Sequence, residues 1–141
     1  MSLDTELVDR EREVLDDFAA CGVQSAEELR AAFRRPFYFG CEADDPMTAV
    51  AFDERLNARV KPIFSSDIGH WDVHDMSEVL EEAWELVEDD LITEQNFREF
   101  TFSNAVRLHG QMNPNFFKGT AIEAAAADEL NAVREQAVPT R

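Results

Sequence analysis

Asp67 ends a short apolar run and opens a loop dense in polar chemistry: residues 67–75 read DIGHWDVHD. Carboxylate oxygens and imidazole nitrogens bind divalent cations, and they move protons near neutral pH. A strand that delivers a carboxylate at its C-terminal end is how α/β enzymes present a metal ligand or general base. On this pattern Asp67 is a candidate metal ligand or base, and His70 a candidate active-site residue. The plainer alternatives are an Asp67 side chain that accepts from backbone N–H groups of its own loop and a His70 bonded to a neighbouring acid. His70 and His74 have the i, i+4 spacing of a helical metal pair, and with Asp67 they would make a three-ligand zinc site. Gly69 and the capping signals at Asp75 and Ser77, however, place His70 outside the helix. Trp71 is either a pocket wall or loop packing. Glu42 follows a second apolar run and is either an active-site acid or a solvated one. His109 lies before Gly110, where a helix C-terminus favours a cationic side chain.

The elements that must hold these groups follow from periodicity and turn chemistry. Residues 3–20 have apolar positions near one face and read as a helix ended by Gly22. Ser25 with Glu28 is a capping box opening a helix over residues 26–34, stopped by Pro36. Residues 37–41 (FYFGC) read as a buried strand. A helix is expected over residues 47–58, capped by Asp44 or Asp45, with Val50, Ala51 and Leu56 inward. Residues 62–66 then form a second strand. Two strands joined by a helix and short loops pair in parallel, and short apolar strands of this kind suit sheets covered on both faces. Ser77 caps a helix to about Asp89 with a broad apolar face that includes Trp84. Thr93 starts another helix with Phe97 and Phe100 inward. Residues 104–109 continue as helix, with Asn104 ordering its start and Gly110 closing it. Residues 122–137 are an Ala-rich helix or tail. Two strands alone leave open edges and too small a sheet, so the pattern reads as part of a larger α/β architecture.

Composition bounds the partners. The 141 residues suit one ordinary domain, and 45% hydrophobic content argues against global disorder. A net charge of −17 repels nucleic acid and anionic membranes. Residues 67–94 carry eleven acids and no Lys or Arg, read either as a solvated helix face or as a surface for a cationic or covering partner. The charged N-terminus lacks a signal-type apolar segment, and no window offers the roughly 18 apolar residues of a membrane span. Cys21 and Cys41 show no metal or redox spacing. The expectation is a cytoplasmic chain with reduced, buried cysteines.

Three stretches carry a family resemblance: residues 25–42 (SAEELRAAFRRPFYFGCE), 63–72 (IFSSDIGHWD) and 102–110 (FSNAVRLHG). In order and spacing they resemble the C-terminal part of the amidohydrolase superfamily, in the branch related to aminocarboxymuconate-semialdehyde decarboxylase. That family typically has Ser-Asp-Tyr-Pro-His at strand 8 and Asn-Ala-x-Arg-Leu-Tyr-Gly in its closing helix. The resemblance implies an α/β fold, mostly helical by residue count, forming strands 7 and 8 of a TIM-type (β/α)8 barrel with flanking helices. Residues 1–120 would be the partial barrel and residues 121–141 a C-terminal helix or tail.

By the same resemblance Asp67 is the strand-8 aspartate, metal ligand or acceptor of the proton released by a metal-bound water, and His70 is the loop histidine. Trp71 and Glu42 become candidate substrate contacts. The implied cofactor is a divalent metal, zinc by expectation, which lowers the pKa of a bound water toward neutrality. The implied activity is hydrolysis or decarboxylation of a small molecule. The family's His-x-His pair is absent; the only histidines are His70, His74 and His109. A whole barrel needs about 250 residues. The chain would then be a fragment of a longer enzyme, a separate subunit that a complementing chain or homo-oligomer completes, or a degenerate remnant, and activity would require the missing strands. The alternative is a non-catalytic acidic α/β module that binds or completes a partner protein.

Overall fold

The computed structural model describes residues 21–57 and 59–137. They form a mixed α/β structure, mostly helical, with two short parallel strands. Two compact units divide at Pro36. The helix expected over residues 3–20 lies outside the described residues.

In the first unit, α1 (Ala26–Arg34) starts where the capping box placed it. Ser25 Oγ accepts from the Glu28 amide at 3.1 Å, and the Glu28 carboxylate accepts from the Gln24 amide at 2.6 Å. These bonds satisfy amide donors that a helix start leaves orphaned.

The second unit begins with β1 (Phe39–Cys41), which pairs in parallel with β2 (Pro62–Phe64), Phe39 opposite Pro62 and Cys41 opposite Phe64. Both strands are shorter than expected, and only Pro62 of β2 is fully buried among their residues. β1 alternates half-buried, exposed, half-buried, and Phe37 is exposed. One face of the pair packs on the helical run behind it, while Gly40 on the other remains open. A sheet covered on one face has no need of an apolar residue at every position.

The crossover between the strands is not the α-helix its length allows. It is two 3₁₀ segments, Pro46–Phe52 and Glu54–Leu56. Local side-chain bonds explain the change. Asp45 Oδ1 accepts from the Met47 amide, and Asp53 Oδ1 accepts from the Arg55 amide at 2.9 Å while its carboxylate pairs with the Arg55 guanidinium. Aspartates that bind the backbone two residues on compete with i→i+4 helix bonds. Asn57, at φ 47°, ends the second segment in the left-handed region. Ala51 is inward as expected, but Val50 and Leu56 are exposed.

α2 (Val79–Glu88) buries Val79, Ala83 and Leu86. Its cap position is Glu78, which makes no side-chain capping bond; Ser77 instead donates to Asp75 Oδ1 through its amide and its hydroxyl. α3 (Glu94–Arg98) is capped by Thr93 and passes through a π-helical turn, Glu99–Ser103, into α4 (Asn104–Met112). The wide turn sets Phe100, Ser103 and Asn104 on one buried face. Phe100 is fully buried and meets Phe64 edge to face, ring centroids 5.7 Å apart. Asn104 Nδ2 donates to the Pro62 carbonyl at 2.8 Å. Asn104 therefore ties helix to strand rather than ordering a helix start. Arg59 completes the junction, bridging Glu54 and Glu99. The core here gathers Ala43, Ala51, Phe52, Ala83, Leu86, Ile92 and Phe100.

Gly110 does not close α4, which runs two residues further. It is buried, and a Cβ there would meet Leu130 Cδ1 at 2.5 Å. The glycine is a close-packing position for α5 (Glu123–Ala137), whose Ala126 and Leu130 join Val106 in a second small core. Arg107 reinforces that contact by pairing with Glu129 at 2.7 Å. Both cysteines are free thiols; Cys41 is half-buried, but Cys21 is exposed, contrary to expectation. No described helix is long and apolar enough to cross a membrane.

Candidate metal-binding loop

Parallel pairing puts the ends of β1 and β2 side by side, so Glu42 and Asp67 leave the same edge of the sheet. The Ser65 amide donates to the Cys41 carbonyl at 2.8 Å, extending the pairing one step. The chain then turns sharply. Asp67 adopts φ 48° and Gly69 φ 102°, and the His70 amide donates to the Asp67 carbonyl at 3.0 Å. Aspartate is among the few residues that visit the left-handed region at modest cost, and glycine supplies the wider angle freely.

This turn brings the His70 imidazole between two carboxylates. Its Nδ1 lies 2.5 Å from Asp72 Oδ1 and 3.2 Å from Asp67 Oδ2. One ligand atom from each of Asp67, His70 and Asp72 falls within 4.8 Å of the other two. The hydrogen bond to Asp72 raises the His70 pKa above the ordinary imidazole value, loss of water partly opposes this, and the charges of Asp72, Asp67 and Glu42 add to the rise. The same bond holds the Asp72 carboxyl below its usual range.

A recess of about 140 Å³ opens beside the turn, lined by the acids Glu42, Asp44, Asp67, Asp72 and Glu82. That volume has room for only a few molecules the size of water, each taking about 30 Å³. It falls short of the roughly 300–1,000 Å³ of clefts that enclose a small-molecule ligand. Alone, the recess is too small to surround a substrate.

The structure thus brings Asp67 and His70 together and sets Glu42 in the same recess. Trp71 does not line it: the residue is 83% exposed, its ring 5.9 Å from that of His70. His74 is outside the three-residue group. The Val73 amide donates to the His70 carbonyl in a turn, so residues 70 and 74 do not stack as they would on a helix. Asp72 takes the place assigned to His74. The His–x–Asp spacing was its only sequence signal, and that spacing becomes a contact only once the turn is known. His109 lies in the last turn of α4 and stacks on Phe116 at 4.6 Å, far from this chemistry in role.

One imidazole nitrogen and two carboxylate oxygens form a donor set that suits zinc and other borderline divalent ions. No protein-family model, curated protein or solved structure matches the chain.

Proposed function

We propose that the chain is the C-terminal portion of a metal-dependent, amidohydrolase-like enzyme that hydrolyses or decarboxylates a small molecule. In this reading β1 and β2 are the last two strands of a TIM-type barrel. The observation that carries it is the convergence of Asp67, His70 and Asp72 at the carboxyl edge of a parallel strand pair, with ligand atoms within 4.8 Å. That edge is where barrel enzymes place their chemistry.

The roles follow from position. Asp67 and Asp72 supply negative charge and ligand oxygens, and Asp67 is the group placed to accept a proton. His70 offers Nδ1 once it is deprotonated, so metal and proton compete for that nitrogen. Glu42 adds charge across the recess without entering the ligand group. A bound divalent metal would supply Lewis-acid polarisation of substrate or water. With a small recess and no His-x-His pair in this sequence, further ligands and the substrate walls would come from the rest of the barrel, whether the same protein or a complementing chain supplies it.

The test is zinc content by elemental analysis after dialysis, for the chain alone and for the chain purified with the product of the reading frame upstream of its gene. Asparagine tolerates the left-handed region, so Asp67→Asn removes the charge and keeps the turn. The wild-type assembly should retain zinc that Asp67→Asn loses. Equal zinc in both would remove Asp67 from the site and the proposal with it.

A further inference from the structure

The α2 face carries a second feature, independent of the metal reading. Leu80 and Trp84 are one turn apart and project beside Phe97 of α3, whose ring meets the Trp84 indole edge to face at 4.9 Å. Together they floor an open groove of about 630 Å³. Leu80 is 53% exposed and Trp84 37% exposed, although neither has a polar group that needs water except the indole N–H. Apolar side chains grouped in a groove and edged by polar residues offer a seat for the apolar face of another element.

Glu81, Glu85 and Glu88 run along the same groove at helical spacing. No Lys or Arg occurs between residues 62 and 97, and none of the three glutamates is in a salt bridge among the described residues. Like charges three and four positions apart on one helix flank, as Glu85 with Glu88 and Glu81 with Glu85, repel one another. A cationic occupant would relieve that repulsion.

Charge also excludes other occupants. A second copy brings another −17, and residues 1–20 carry seven acids against two arginines. Nucleic acid is repelled outright. We infer that this groove binds a basic amphipathic helix of a partner protein, its apolar residues at i and i+3 or i+4 seated on Leu80, Trp84 and Phe97 and its Arg or Lys side chains paired with Glu81, Glu85 and Glu88. This is the helix-in-groove mode of recognition.

The probe is a synthetic amphipathic Leu/Arg helix, with a Leu/Glu peptide of the same apolar pattern as its control. In Trp71→Phe protein Trp84 is the only indole, so its emission reports the groove directly. The Leu/Arg peptide should shift that emission to the blue and the Leu/Glu peptide should not. Glu81→Gln/Glu85→Gln and, separately, Leu80→Ser should each weaken binding by roughly tenfold or more. Asp128→Asn/Glu135→Gln, an equal charge loss on exposed positions of α5, should change it less than about twofold. Equal weakening by the two charge pairs would reduce the effect to net charge and overturn the assignment, as would an unmoved Trp84 emission. Light scattering that shows a dimer dissolved by Leu80→Ser would make a second copy the occupant and overturn it equally.

Discussion

The loop after β2 and the junction behind β2 belong to the same strand and are built in opposite ways. In the loop, His70 bonds to residues two and three positions away, and the side chains of Asp67, His70 and Asp72 are all more than one-third exposed. In the junction, Asn104 reaches the Pro62 carbonyl across 42 residues and Arg59 reaches Glu99 across 40. The Phe64 and Phe100 rings meet beside them. Local exposed contacts assemble at little entropic cost and contribute little to stability. Long-range buried contacts must overcome loop closure, and they hold the strands in register. The candidate chemistry therefore sits on the part of the strand that can change without unfolding the rest.

If that contrast is right, the largest effect belongs to Phe100. Truncation to alanine removes the fully buried ring that meets Phe64 and should cost about 3–5 kcal/mol in urea unfolding. Asn104→Ala comes next. It strips the Pro62 carbonyl of its partner inside the core, for about 1–3 kcal/mol. A loss under about 0.5 kcal/mol would mean that this bond does not hold the strand.

Gly110→Ala tests the second core. The new Cβ meets the end of a flexible leucine, so an overpacking cost of about 1–3 kcal/mol is set against about 1 kcal/mol of regained helix propensity. A small net destabilisation is expected, and a rise in melting temperature would show that Leu130 swings clear.

The smallest effect on stability is expected in the loop. The raised His70 pKa means that its contribution is complete below the unfolded imidazole pKa and is lost as pH rises through the folded value. The lowered Asp72 pKa gives a contribution present above the unfolded carboxylate range and lost as pH falls through the folded value. The pair therefore acts between those limits. NMR titration should place the His70 midpoint above the ordinary imidazole value in the wild type and move it down in Asp72→Asn. An unmoved midpoint would show that Asp72 is not the partner. Unfolding of the loop by this substitution would break the contrast itself.

Particular residues show how much was legible from sequence. Ser25 with Glu28 marked a helix start because both bonding partners lie within four residues. The parallel pair followed from two apolar runs separated by a crossover, and Asp67 with His70 from a dense polar loop at a strand end. The crossover departs from the expected helix because nothing in the type of Asp53 shows that it will bind the Arg55 amide rather than face water. Gly110 looked like a helix stop, since nothing near it in sequence points to Leu130.

Sequence by itself determined what local chemistry decides: the caps, the apolar runs, the sign of the charge, and the placing of carboxylates and an imidazole beyond β2. Only the tertiary structure decided which of those groups meet. The left-handed turn at Asp67 and Gly69 selected Asp72 over His74 as the neighbour of His70, and turned Trp71 out to solvent. The π-turn aimed Phe100 and Asn104 at β2. The reason is reach. A side chain bonds its near neighbours in almost any fold, but a contact across 42 residues exists only after the chain has closed around it.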